Sequence, residues 1–95
     1  MKYKRGINVQ INNNQSVTVP SGEIWKVFVF GGCVELRGSS ERNPIRVCPN
    51  HNNTYKSASG EPYIFPEGTL LKSVETDTQR NPINTILVGL AFTAD

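Results

Sequence analysis

Apolar and polar residues alternate with a period of two along most of this chain. Ile7, Val9 and Ile11 are separated by Asn8 and Gln10, the pattern of a strand with one face on a core and one in water. Asn12-Asn13-Asn14 then marks a turn. Val17 and Val19 alternate with Ser16 and Thr18 as far as Pro20-Ser21-Gly22, where proline sets its own φ and glycine accepts a positive one. The next stretch, Glu23 to Phe30, breaks the simple rule. Trp25, Val27 and Val29 point one way; Ile24, Phe28 and Phe30 point the other, with Lys26 among them. Both faces are apolar, so both are expected to be covered.

Further strands are predicted over Cys33 to Arg37, Ile45 to Cys48, Tyr63 to Phe65, Thr69 to Thr76 and Ile83 to Thr93. In the last of them Ile86, Val88, Leu90 and Phe92 share one face, and Leu87, Gly89 and Ala91 the other. Small residues on that second face predict close approach by another sheet or subunit. Residues 49–61, PNHNNTYKSASGE, form a long polar excursion of the kind that often carries function. About eight short strands, turn signals about every 8–12 residues and no helical period predict an all-β fold. The expected architecture is a single antiparallel β-sandwich, jelly-roll-like. Residues 1–6 read as a basic N-terminal arm and residues 7–95 as the sandwich domain.

Composition narrows the picture. A chain of 95 residues is one domain, and at this size it buries only about 60–70% of the surface its unfolded form exposes. Hydrophobic residues make up 37%, so the core is lean, and a partner subunit would add to its stability. Charged residues are 19%; Asn, Ser, Thr, Gly and Pro fill the gap and favour turns. The formal net charge is +2, and Lys2, Lys4 and Arg5 account for the excess at one end. No basic stripe interleaved with aromatics follows, so nucleic acid is not an expected partner. No run of about 20 apolar residues exists, so no membrane-spanning helix is expected. The N-terminus lacks the apolar core of a secretory signal, so synthesis in the cytoplasm is expected. Cytosolic synthesis favours free thiols at Cys33 and Cys48; the alternative is a bridge closing about fifteen residues, on the order of 3 kcal/mol.

Candidate chemistry is sparse. Cys48-Pro49-Asn50-His51 has a C-x2-H spacing that zinc could use, but Cys33 is the only third soft ligand and no fourth stands out. His51 therefore reads as a loop histidine, and neither metal nor cofactor is expected. A Cys–His nucleophile pair would need an orienting third group. Glu61, Glu67, Glu75 and Asp77 fall in turns or at strand edges, where they serve solubility rather than a paired-carboxylate site. No phosphate-binding glycine loop is present. With no acid, base and nucleophile set, the chain is not expected to be an enzyme. Trp25, Tyr55 and Tyr63 could form a sugar-stacking platform, but Trp25 sits in an apolar strand and reads as a core anchor. The surfaces left for a partner or ligand are Lys2, Lys4 and Arg5 at the arm, and His51, Asn52, Asn53, Tyr55 and Lys56 in the excursion. Phe28, Phe30, Leu87, Gly89 and Ala91 are the candidate oligomer interface.

Three segments carry a resemblance. Val19-Pro20-Ser21-Gly22-Glu23-Ile24-Trp25-Lys26-Val27 resembles the "VPxGxxWKV" opening of small β-sandwich modules in tailed-bacteriophage virion proteins. Tyr63 to Thr69, YIFPEGT, resembles their later "PxxxPxGT" turn, and Ile86 to Phe92 resembles their closing strand, often "SGIEFNI". Here Ala91-Phe92-Thr93 stands where that strand carries acidic and asparagine residues. The resemblance implies a structural virion component such as a capsid decoration protein, head fibre or tail accessory module, commonly trimeric. A chain that begins with Met and stops just after its last strand fits a free-standing decoration protein. The expected partners are further copies of itself, a trimer by preference, and virion proteins such as the major capsid protein. The rivals are a receptor- or glycan-binding tail module and a small phage inhibitor of a host defence protein.

Overall fold

The structure, a computed structural model, describes residues 2–37, 45–48, 62–74, 79 and 81–94. The strands are β1 (Tyr3–Ile11), β2 (Ser16–Thr18), β3 (Glu23–Gly31), β4 (Val34–Arg37), β5 (Ile45–Val47), β6 (Tyr63–Phe65), β7 (Leu70–Ser73) and β8 (Thr85–Thr93). Four antiparallel pairings, β1·β8, β2·β7, β3·β6 and β4·β5, are the rungs of one long hairpin with its tip between β4 and β5. Two more, β3·β8 and β4·β7, join when that hairpin rolls up. The result is two four-stranded sheets, β1-β8-β3-β6 (sheet I) and β2-β7-β4-β5 (sheet II). This is the jelly-roll order expected from the alternation and turn spacing.

Two turns of like sequence hold one end of the roll. Pro20-Ser21-Gly22-Glu23 and Pro66-Glu67-Gly68-Thr69 each close with a backbone bond from the fourth residue to the proline carbonyl, with glycine at φ +85° and +82°, the position such a turn reserves for it. They dock on each other. Gly68 N donates to Val19 O, Val19 N donates to Thr69 O, and Glu67 Oε2 accepts from Gly22 N at 2.6 Å. Glu67, expected to serve only solubility, is a link in this clasp. Two of the motifs that carried the family resemblance are thus two halves of one fold-determining contact.

Between the sheets lie Ile7, Ile11, Val19, Trp25, Val27, Val29, Val34, Val47, Phe65, Leu71, Leu87 and Ala91. Trp25 is 2% exposed, so the expected anchor is the core anchor. Polar groups inside are paired: Ser73 Oγ donates to Ile83 O at 3.2 Å and lies 2.9 Å from Thr85 Oγ1, which is 3.0 Å from Gly32 O. That chain of oxygens bridges β7 of sheet II and β8 of sheet I.

Three expectations are corrected. First, residues 3–6 are no separate arm: β1 begins at Tyr3, and Lys2 is tied to Thr93, whose backbone N–H donates to Lys2 O at 2.8 Å and whose side-chain Oγ1 accepts from Lys2 N at 3.1 Å. Second, Leu87 and Ala91 are fully buried in this domain's own core, so they are unavailable to a neighbouring subunit. The bulky face of β8, not the small one, points outward. The reason is crowding inside. In the register, Ala91 lies between Arg5 of β1 and Trp25 of β3, where only a small side chain leaves room for the indole. At Gly89 a Cβ would collide with the carbonyl oxygen of Lys26 and come within 2.7 Å of Val27 Cα. The close approach is made by the adjacent strand. Third, Cys33 and Cys48 are not free thiols but a disulfide. Val34 pairs with Val47, so the β4–β5 ladder sets the two cysteines opposite each other, Cα to Cα 4.2 Å.

Candidate functional site

The two outward faces of the sandwich differ in kind. On sheet II the outward rows are Ser16, Lys72, Glu35 and Arg46, then Thr18, Leu70 and Arg37. Glu35 sits between two cations, Arg37 at 3.2 Å and Arg46 at 3.7 Å. Charge covers this face, as it covers the solvent side of most antiparallel sheets.

On sheet I the outward rows read Tyr3, Phe92 and Ile24; Gly6, Leu90, Lys26 and Ile64; Asn8, Val88 and Phe28; Gln10, Ile86 and Phe30. Only the edge strand β1 turns polar side chains outward, at Asn8 and Gln10. Ile64 is 64% exposed, Leu90 42%, Val88 40% and Ile86 37%; Ile24, Phe28, Phe30 and Phe92 are half-buried. Phe28 and Phe30 lean together with ring centroids 6.4 Å apart, and Tyr3 meets Phe92 edge-on at 6.4 Å. Lys26 is the one charge on the outward positions of β3, β6 and β8. Isolated exposed apolar residues need no explanation, but a contiguous patch of several hundred Å² marks an interaction surface. This face is the candidate site. Phe28 and Phe30, expected at an oligomer interface, lie on it; their expected companions Leu87, Gly89 and Ala91 belong to the opposite, inner side of the sheet.

The basic residues at the start of β1 are engaged elsewhere. Glu23 is buried, yet it binds Arg5 Nη2 at 3.0 Å, Lys4 Nζ at 3.1 Å and Trp25 Nε1 at 2.9 Å. The Arg5 guanidinium lies 5.9 Å from the centroid of the Trp25 ring, a cation over an aromatic face. The Arg5 bond chiefly, then the indole bond, outweigh the cost of burial and, with Lys4, lower the Glu23 pKa from 4.5 to about 2. This cluster clips β1 to β3 across β8. Lys4 and Arg5 were expected to meet a partner; the structure spends their charge on Glu23. Lys2 remains exposed beside Thr93.

His51, Asn52, Asn53, Tyr55 and Lys56 lie outside the described residues. The proposed sugar platform is not assembled from the remainder, because Trp25 is in the core and Tyr63 stacks on Phe65 at 6.3 Å on the inner side. With their sulfurs joined, Cys33 and Cys48 carry no thiolate for a metal. No group of three or more metal-ligating side chains is found among the described residues. No family model, curated protein or solved structure matches the chain.

Proposed function

We propose that this protein is a non-enzymatic structural component of a tailed-phage virion, a capsid decoration protein that binds the head surface as a homo-oligomer. One observation carries the reading: a stable sandwich presents a broad apolar sheet face where a solvated protein would present charge. Such a surface works by being covered. The described carboxylates support a mechanical role, since Glu23, Glu35 and Glu67 are each held in contacts that maintain the fold. Jelly rolls build virus shells among other things, so the fold agrees with the reading without selecting it. In this role the protein clamps neighbouring subunits through many small contacts, with the paired turns and the disulfide keeping the sandwich rigid.

Immunogold labelling and mass spectrometry of purified particles test the proposal. Labelled heads, with the chain present in many copies, are the expected result. Label confined to the tail tip would favour the receptor-binding alternative, and absence from particles would overturn the virion role.

A further inference from the structure

We infer that the outward face of sheet I closes on the same face of a second copy of this chain, through a two-fold axis. The inference rests on the reading of the protein as one that assembles, but on no particular particle.

Size is the first argument. Strands β3 and β8 are each nine residues long. At a strand's rise that is about 30 Å, and four strands about 4.8 Å apart span about 19 Å, so with β6 short the face offers on the order of 500 Å² in projection. Protruding side chains raise the accessible area above the projection. A specific interface takes about 600–1,000 Å² from each partner. The face therefore supplies an interface only if it is covered from end to end. An occupant of matching length, width and twist is required, and another sheet I is such an object. Two aligned sheets pack about 10 Å apart, as they do inside the sandwich.

The pattern within the face is the second argument. Its apolar rows run from Phe92 and Ile24 to Ile86 and Phe30, so its midpoint falls between the Leu90–Lys26 row and the Val88–Phe28 row. A two-fold axis in the interface, perpendicular to the strands at that midpoint, exchanges those rows. Lys26 then lies against Phe28 of the second copy, a cation against an aromatic ring, while Leu90 meets Val88. Ile24 meets Phe30, and Phe92 meets Ile86, so large side chains oppose smaller ones. Asn8 and Gln10 of β1 form the polar rim that interfaces keep at their edge. A three-fold axis running parallel to the strands in front of this face, the trimer that the family resemblance favours, would instead bring three Lys26 ammonium groups to one level around it, in an apolar interior that disfavours charge.

Sedimentation equilibrium of the full chain, from low micromolar to millimolar concentration, tests this. The expected mass is twice the 10.5 kDa of one chain. Val88→Lys should raise the dissociation constant on the order of a hundredfold with an unchanged far-UV spectrum, because it buries an unpaired charge beside Lys26 of the second copy. Thr18→Glu, on the outward face of sheet II, should leave the mass unchanged. Lys26→Leu should tighten association, a gain that misfolding cannot mimic. A monomer at every concentration, a three-chain mass, or association that survives Val88→Lys would each overturn the inference. A dimer that never labels phage heads would leave this inference standing and remove the virion role.

Discussion

Sheets I and II turn opposite kinds of surface outward although both close the same core. On sheet II the outward positions hold an ion-pair row around Glu35. On sheet I they hold Phe28, Phe30, Ile86, Val88 and Leu90, with Lys26 their one charge on β3 and β8. The strands' inner faces do not explain this, because both sheets alternate cleanly toward the core. The difference lies in what each outer face meets. In the proposed dimer, sheet II meets water and sheet I meets the same face of a second copy. A lean core in so small a domain gains from such a partner, since burying apolar area contributes roughly 25 cal/mol per Å².

The contrast can be broken or sharpened experimentally. The largest effect should come from inside sheet I. Trp25→Ala should cost about 3–5 kcal/mol by urea denaturation, against about 1 kcal/mol for Phe28→Ala in a monomeric Val88→Lys background. Equal losses would mean that the two faces of β3 are equally structural. Next, on sheet II, reducing the Cys33–Cys48 bridge, or replacing both cysteines by serine, should lower stability by about 3 kcal/mol. Hydrogen exchange should then rise in β4 and β5 before it rises in β3 and β8. Gly89→Ala should cost about 1–3 kcal/mol, because the added methyl meets the β3 backbone; a neutral result would refute the close approach. The Glu23 cluster adds a pH signature. The folded pKa of about 2 lies below the ordinary 4.5, so between those values the unfolded state binds more protons and stability rises with pH. The contribution is complete above about pH 5 and is lost as pH falls toward 2. Glu23→Gln should flatten that part of the urea-midpoint profile. The smallest effect belongs to sheet II: Glu35→Gln should cost about 1 kcal/mol or less, diminishing in high salt, as partly exposed ion pairs do.

Much of the fold was readable because its elements are local. Period-two alternation located the strands, and the two Pro-x-Gly turns were legible from φ requirements alone. The two-sided character of Glu23 to Phe30 was also legible: Ile24, Phe28 and Phe30 do lie on the outer face, opposite Trp25, Val27 and Val29. What was missed depends on register. Leu87 and Ala91 look like an outer interface until Ala91 is seen between Arg5 and Trp25, where size and not hydrophobicity decides. Lys4 and Arg5 look like a solvated arm until β8 brings them beside Glu23. Cys33 and Cys48 look independent until Val34 pairs with Val47. In each case the deciding neighbour is distant in sequence and adjacent only once the hairpin has rolled up.

The most direct test of the central claim is solvent accessibility at the methyl groups of Ile86, Val88 and Leu90, with Leu70 on sheet II as the internal reference. A soluble paramagnetic agent broadens methyl signals in proportion to exposure. As protein concentration rises, the account predicts that Ile86, Val88 and Leu90 become protected while Leu70 stays broadened. Equal broadening of both faces at every concentration would contradict it.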